Sequence, residues 1–273
     1  MDNPASPRTL HFIARGASAE LFDIGDGHVL KLFRDSVSDE MIAREAEASI
    51  HAAASGVPTA AAIARQTWDG RRGILFPRLE GGTLMDWIRR NPIRAGWALD
   101  RMGAIHAAMH RTEGGTLRSL KQVLATDIAY GPAQVTLQKA AIAYLDTLPD
   151  GTALTHGDFH LGNVMMTPQG MMVIDWSKAA RGHPAADAVR SEMLMRFGIG
   201  PTDRVTNLWR DWAAARLRKR YRASDVTALD MDQWRPVVAL AWLRARDAGR
   251  TPAFMRYLDK ALRRSGIGRL RPE

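Results

Sequence analysis

Short apolar runs separated by turn residues fill the first third of the chain. They predict β-strands over residues 10–14, 19–24, 29–33, 61–67 and 73–76. Turns are predicted at Gly25-Asp26-Gly27 and at Asp69-Gly70. An alanine-rich segment, residues 39–54, predicts one helix that stops at a Ser-Gly-Val-Pro sequence. This part of the chain is therefore expected to form a small antiparallel sheet with one helix.

The pattern of polar and apolar positions changes after Glu80-Gly81-Gly82. Over residues 83–147 the periodicity is helical, with interruptions at proline and glycine. A second β-rich stretch covers residues 153–175 and contains a predicted hairpin turn at 167–170. Helical patterns return at residue 185 and continue toward the end.

The order of these elements predicts an α+β fold with two lobes. A small strand-rich lobe is followed by a linker over residues 77–82 and by a larger, mainly helical lobe that holds one hairpin. The predicted domains are residues 1–79 and residues 80–273.

The amino-acid composition excludes several classes of function. The chain has no cysteine, which excludes disulfides, thiolate nucleophiles and thiolate metal sites. Its net charge is +9, but lysine and arginine are spread along the chain and no nucleic-acid-binding motif is present, so no nucleic-acid partner is expected. No stretch has the length of a membrane span and the N-terminus has no signal-peptide pattern, which together predict a cytoplasmic protein.

Candidate chemistry lies in one loop of the second β-rich stretch, Thr155-His156-Gly157-Asp158-Phe159-His160-Leu161-Gly162-Asn163. Asp175 follows after the predicted hairpin. Phosphoryl transfer needs a carboxylate to accept or orient the attacking hydroxyl, and oxygen ligands to hold magnesium on the triphosphate. An aspartate and an asparagine on one loop, with a second aspartate brought back by the hairpin, supply both. The residues by themselves thus indicate a phosphoryl-transfer site.

Two other interpretations of these residues are open at this point. His156 and His160 are four positions apart, the spacing of a metal pair on a helix, but Gly157 disfavours a helix and no third ligand stands at a familiar spacing. Isolated aspartates also cap loops. The complete string at this spacing favours phosphoryl transfer over both zinc binding and capping.

The His-Gly-Asp string ending at Asp158, with Asn163 five positions later, resembles the catalytic loop of aminoglycoside phosphotransferases and choline-kinase-like small-molecule kinases, which have a protein-kinase-like fold. The resemblance implies that Asp158 is the catalytic base and that Asn163 and Asp175 are magnesium ligands. It places His160 near the transferred phosphate, where protein kinases carry a lysine. Asp187, further along, is implied to anchor the loop from beneath.

The same resemblance implies a lysine on an apolar strand, which reaches the phosphates, and a helical glutamate that pairs with it. Lys31 has the expected position in the third predicted strand. Glu45 fits the family spacing better than Glu47, but the choice between them stays open because one helical step cannot be decided from spacing.

Five further residues are assigned to the nucleotide by the resemblance. Gly16 and Ser18 belong to a loop between the first two strands that would cover the phosphates. Phe76 would stand at the back of the base pocket. Pro77 and Leu79 would then present a carbonyl and an amide to the purine edge, since proline has no N–H to donate.

The resemblance therefore implies an enzyme that uses ATP or GTP with Mg²⁺ and moves the γ-phosphate to a hydroxyl of a small molecule, such as an antibiotic, a sugar or a metabolite alcohol. Because aminoglycosides are polycations, the net basic chain favours a neutral or anionic acceptor. Two alternatives remain: a kinase of a protein or lipopolysaccharide on the same fold, and a non-catalytic nucleotide-binding scaffold. The sequence does not determine the oligomeric state.

Overall fold

The computed structural model of the chain describes residues 10–201, 203–222, 231–245 and 251–270. Its strands are β1 (His11–Arg15), β2 (Ala19–Asp23), β3 (His28–Phe33), β4 (Ala64–Trp68), β5 (Arg71–Pro77), β6 (Gly82–Thr83), β7 (Ala153–Thr155), β8 (Val164–Thr167), β9 (Gly170–Val173) and β10 (Ala180–Gly182). Its helices are α1 (Asp39–Ala54), α2 (Leu84–Arg90), α3 (Ala95–Met109), α4 (Leu120–Ala129), α5 (Val135–Thr147), α6 (Pro184–Phe197), α7 (Arg204–Arg222), α8 (Met231–Trp242) and α9 (Pro252–Arg264), with a 3-10 turn at Pro92–Arg94. The helical pattern predicted toward the end also covers residues 223–230, 246–250 and 271–273, which lie outside the described residues.

The N-terminal strands form one antiparallel sheet in the order β1-β2-β3-β5-β4. Side chains of β3 alternate between its two faces. Leu30 and Leu32 are buried on one face, and Phe33 and Ile74 are buried on the other, which α1 covers. Lys31 lies opposite Ile74 in the register, so it projects from the α1 face among apolar neighbours.

Helix α1 has well-defined ends. The Ser38 side chain caps the first turn by accepting a backbone N–H, and Asp39 and Glu40 in that turn interact favourably with the helix dipole. After the last turn, Gly56 takes a left-handed φ of 81°. Glu45 belongs to the buried face of this helix, so its carboxylate is directed toward the sheet and away from solvent.

Helix α6 is the centre of the helical part and is buried along most of its length. It packs against both α7 and α8, and Val189, Met193 and Trp234 are fully buried in this region. Its sequence also places charged residues inside, since Asp187 and Glu192 are both buried. Buried charges have to be paired or hydrogen-bonded, so these two carboxylates are points around which neighbouring elements are organised.

Gly81 lies where the chain passes from the sheet to the helical part. Its φ is 117°, and a Cβ at this position would collide with the backbone carbonyl of Met166. Both the conformation and the close approach therefore require glycine. The predicted domain boundary, after residue 79, lies two residues before Gly81 and stays a prediction.

Two short strands are absent from the hydrophobic pattern. Strand β6 pairs with β8, and β10 pairs with β7. Elements of two or three residues are too short to show a period of two, so only pairing with a neighbour reveals them. Among the longer strands, β4 begins at Ala64, three residues later than predicted, and β5 begins two residues earlier.

Within the described residues, no helix has both the length and the apolar character that crossing a bilayer would require.

Candidate active site

Lys31 lies between two carboxylates. Its Nζ donates to Glu45 Oε1 at 2.5 Å and to Asp175 Oδ1 at 3.2 Å. Strand β3, helix α1 and the segment after β9 each supply one member of this trio. Glu47, the other glutamate considered from the sequence, is exposed on α1. The structure thus brings Lys31, Glu45 and Asp175 together.

Burial and charge act against each other in this trio. Burial alone would lower the pKa of Lys31, but the carboxylates of Asp175 and Glu45 raise it above its ordinary value. Burial raises the pKa of Glu45, and Lys31 opposes that effect. Burial would also raise the pKa of Asp175, but Lys31 and a hydrogen bond from Ser177 lower it to about 2. One ammonium thus faces two carboxylates, which leaves a net negative charge when both are ionised.

Asp158 lies in the loop between β7 and β8. Its Oδ2 accepts a hydrogen bond from Lys178 Nζ at 3.0 Å, and its side chain is 15% exposed. Its backbone carbonyl accepts from Nδ2 of Asn163 at 2.9 Å, and Asn163 is itself buried. Asn163 therefore holds the loop against Asp158 through its side-chain nitrogen. Its Oδ1 is an acceptor oxygen that could serve as a metal ligand.

A backbone contact ties this loop to Asp175. The N–H of Ile174 donates to the carbonyl of Asn163 at 3.0 Å, so the two predicted magnesium ligands are linked through adjacent backbone. Asp175 has a φ of 64°, a left-handed conformation that is uncommon for a residue with a side chain. Conformations of this kind cluster at functional sites, where the surrounding contacts hold them in place.

Asp187 lies beneath the loop with its side chain 1% exposed. Its carboxylate accepts the backbone N–H groups of His156 and Gly157, each at 2.8 Å. Nε2 of His106, on α3, and Nε2 of His110, directly after α3, reach the same carboxylate at 3.2 and 3.1 Å. Both donate, because an ionised carboxylate only accepts. Burial alone would raise the pKa of Asp187, but these hydrogen bonds hold it well below its ordinary value. Asp187 thus has the place beneath the loop that the sequence predicts.

Gly157 allows the loop to turn at this point. It has a left-handed φ of 75°, and a Cβ there would lie 2.5 Å from the carbonyl oxygen of Lys178. The Gly157 carbonyl accepts a hydrogen bond from Nε of Arg190, which α6 provides. A side chain at this position would therefore push apart the loop and the segment that carries Lys178.

Two histidines of the loop serve its internal hydrogen bonding. His156 is fully buried; its Nε2 donates to the Ile174 carbonyl at 3.1 Å and its Nδ1 accepts the N–H of Asp158 at 3.2 Å. Nδ1 of His160 accepts the N–H of Gly162 at 3.0 Å. Burial lowers the pKa of both histidines. Because both ring nitrogens of His156 are engaged, the geometry gives no support to a His156–His160 metal pair, and the role of His160 near a phosphate stays a prediction.

The five residues assigned to the nucleotide lie along the sheet and the segment that leaves it. Phe76 is half-buried on the face that α1 covers. Gly16 and Ser18 are exposed in the turn between β1 and β2. Pro77 ends β5, and Leu79 follows it. Their contacts with a nucleotide stay predictions.

Several residues around the loop are missed by reasoning from the sequence. Lys178, which contacts Asp158, stands three positions after Asp175, and its nearness to that motif is the only signal for it. His106 and His110 are four apart at the end of α3, and Arg190 follows Asp187 by three, but such spacings are common in helical sequences. Only the fold brings all of them to one loop.

The chain matches the model of a family described as a phosphotransferase enzyme family, abbreviated APH, over residues 9–237. The matched segment contains every site residue named above. A comparison with curated proteins finds no match.

Solved structures with similar folds include three proteins whose descriptions name different activities. A choline/ethanolamine kinase family protein from Mesorhizobium loti is 16% identical, with a TM-score of 0.58 over 96% of this chain and 88% of its own. A thermostable mutant of the aminoglycoside phosphotransferase APH(4)-Ia, in a ternary complex with ADP and hygromycin B, is 15% identical, with a TM-score of 0.62 and coverages of 95% and 92%. Amicoumacin kinase hAmiN, in complex with AMP-PNP, Ca²⁺ and Ami, is 15% identical, with a TM-score of 0.61 and coverages of 97% and 91%. At these identities the similarity establishes the protein-kinase-like fold.

Proposed function

Because the chain belongs to the phosphotransferase enzyme family, we propose that it transfers the γ-phosphoryl group of ATP or GTP to a hydroxyl group of a small molecule. The observation that supports this proposal most directly is that two groups of candidate site residues lie next to each other. Lys31, Glu45 and Asp175 form one hydrogen-bonded trio, and a backbone contact joins the Asp175 segment to the loop of Asp158 and Asn163.

Asp158 is the proposed base. Its Oδ2 is held by Lys178, and among the described residues no side chain is hydrogen-bonded to its Oδ1. In the proposed step, this carboxylate takes the proton of the acceptor hydroxyl as the hydroxyl oxygen bonds to the γ-phosphorus. The bond from that phosphorus to the β–γ bridging oxygen breaks, and the nucleoside diphosphate leaves with the electron pair. Lys178 orients the carboxylate and adds positive charge beside the reacting centre.

The proposed magnesium ligands are Asn163 and Asp175. Carboxylate and amide oxygens are the donors that Mg²⁺ prefers, and the trio around Lys31 carries the net negative charge that a divalent cation would balance. Mg²⁺ bound there would neutralise charge on the phosphate oxygens. Lys31, held by Glu45, is proposed to bind the α and β phosphates. Gly16, Ser18 and His160 would contact phosphates, and Phe76, Pro77 and Leu79 would contact the base.

The proposed acceptor is neutral or anionic. The net charge of +9 opposes a polycationic substrate, because enzymes that bind polycations need an acidic pocket. Retention of the base, the proposed metal ligands and the lysine–glutamate pair supports an active enzyme over a non-catalytic scaffold.

The test is magnesium-dependent release of ADP or GDP by the purified chain against a panel of sugars, nucleosides, amino alcohols and aminoglycosides. We expect release that depends on one class of neutral or anionic hydroxyl acceptor and that stops when EDTA is added. Release stimulated only by aminoglycosides would contradict the proposed acceptor class. Tight nucleotide binding without release for any acceptor would contradict small-molecule transfer and favour the scaffold or the macromolecular kinase.

Replacing Glu45 by glutamine is expected to lower kcat/KM for the nucleotide by about tenfold to a hundredfold, because a hydrogen bond to a charged group is worth about 1.5–3 kcal/mol. The physical reason is that the amide oxygen of glutamine can still accept from Lys31 Nζ but lacks the negative charge that makes this contact an ion pair. Steady-state kinetics with varied ATP measures the effect.

Glu47→Gln is the matched control for this change. It makes the same chemical change two residues away on α1, at an exposed position, and is expected to leave the kinetics unchanged. Equal losses in the two variants would mean that Lys31 does not depend on Glu45.

A further inference from the structure

A second pocket lies between the C-terminal helices and has a volume of about 430 Å³, which is within the range of small-molecule sites. Helices α6, α7, α8 and α9 supply most of its walls. Among the described residues, its lining shares none with the candidate active site. Along α6, the lining residue Glu192 lies five residues beyond Asp187, about 7.5 Å of helix rise.

The floor of this pocket is a closed ion pair. Glu192, with its side chain 3% exposed, accepts two hydrogen bonds from Arg235, at 3.0 Å from Nη1 and at 2.9 Å from Nη2. Arg235 also donates to Asp232 at 2.7 Å and to the hydroxyl of Tyr257 at 2.7 Å. These contacts use four of the five N–H donors of Arg235, so the ion pair forms the floor of the pocket and is not counted among the groups that take a ligand.

Positive charge exceeds negative charge around this floor. Among the described residues, the lining contains five cations and two carboxylates, which leaves a surplus of three: Arg196, Arg218, Arg235, Lys260 and Arg264 against Glu192 and Asp232. Asp211 lies outside the lining and pairs with Arg196 at 2.8 Å, so a surplus of two remains when it is included. Four different helices contribute these cations, so their convergence is a product of the tertiary structure and not of a basic run in the sequence.

Lys260 and Arg264 carry the available charge. They are four residues apart on α9, so they lie on the same side of that helix and both face the pocket. Among the described residues neither takes part in an ion pair. Arg218 adds a third donor, since its contact with Glu192 is a long one at 3.4 Å.

We propose that this pocket binds a small molecule carrying two or more anionic groups, such as phosphates. A pocket of this volume with three available cationic side chains and a neutralised floor offers charge-assisted hydrogen bonds to such a ligand. The concave shape selects a small molecule over an extended polyanion. The site is separate from phosphoryl transfer and does not depend on the function proposed above.

The test is isothermal titration calorimetry of the full chain with inorganic tripolyphosphate, at low ionic strength and with EDTA. We expect the wild type to bind it. The double variant Lys260→Ala/Arg264→Ala is expected to bind about tenfold or more weakly than the wild type, because it loses two charge-assisted hydrogen bonds to the ligand. Both replaced side chains are exposed, and cooperative thermal unfolding of the variant checks that it is folded.

Two controls separate this pocket from other causes. Arg256→Ala/Arg263→Ala removes the same charge from exposed positions of the same helix that do not line the pocket, and is expected to bind within about twofold of the wild type because screening weakens distant charges. Lys31→Ala is expected to keep the binding that the variant Lys260→Ala/Arg264→Ala loses, because Lys31 does not line this pocket. The proposal is overturned if the wild type does not bind, if the two double variants lose affinity equally, or if Lys31→Ala abolishes binding.

Discussion

Replacing Asp158 by alanine is expected to lower kcat of phosphoryl transfer by about a hundredfold to ten-thousandfold, the range attributed to a positioned general base. Nucleotide affinity should stay within about twofold, because the residues proposed to bind the nucleotide are left in place. The loop should also keep its shape. Asn163 is hydrogen-bonded to the backbone carbonyl of Asp158, and His156 to its backbone N–H, so neither contact needs the side chain. Single-turnover kinetics together with a nucleotide-binding titration measures both quantities.

Asp146→Ala is the control for this variant. It removes an aspartate from an exposed position of α5 and is expected to leave turnover unchanged. Turnover of the Asp158 variant within about tenfold of wild type would rule out Asp158 as the base, since that residual effect is smaller than a general base supplies. A parallel loss of nucleotide affinity would mean that the side chain shapes the nucleotide site.

Replacing Asp187 by asparagine is expected to lower the free energy of unfolding by about 1–3 kcal/mol or more, because at least one of its four buried donors loses its acceptor and each such donor costs about 1–3 kcal/mol. The carboxylate accepts from two backbone N–H groups and two histidines, whereas an amide of the same shape has one accepting oxygen and turns an NH₂ toward donors. Burial lowers the pKa of His106 to about 4, so this histidine stays neutral at pH 7 and cannot compensate by its charge. Urea unfolding followed by tryptophan fluorescence measures the loss.

Asp146→Asn makes the same chemical change at an exposed site and should shift the free energy of unfolding by no more than about 0.5 kcal/mol. If Asp187→Asn changed the free energy of unfolding by as little as this control, the carboxylate would not be what holds the loop amides of His156 and Gly157. A folded variant with unchanged turnover would lead to the same conclusion.

Much of the fold follows from local patterns. Helix α1 has the predicted bounds, 39–54, because an N-cap serine, an acidic first turn and a following glycine mark its ends in the sequence. The alternation of β3 places Lys31 on one face between residues buried on the other. Strands β6 and β10 could not be predicted, since two or three residues carry no period and depend on partners far along the chain.

Some residues of the candidate site could likewise be predicted from local spacing, and others could not. Asp158 and Asn163 are five residues apart on one loop, and a short hairpin returns Asp175, so local spacing is enough to group them. The choice between Glu45 and Glu47 needed the structure. A step of two residues on a helix rotates a side chain by about 200°, and only the packing of α1 on the sheet decides which one faces Lys31.

The sequence by itself determined the α+β class of this protein and, through the resemblance of one loop to known kinases, its protein-kinase-like fold, because these signals lie within short segments of the chain. Only the tertiary structure decided what surrounds the loop. Lys178 reaches Asp158 across 20 residues, and His106 reaches Asp187 across 81. The cations of the second pocket likewise come from four helices. Such contacts form because burying a carboxylate is unfavourable until donors from distant segments surround it, and no local spacing rule records which segments those are.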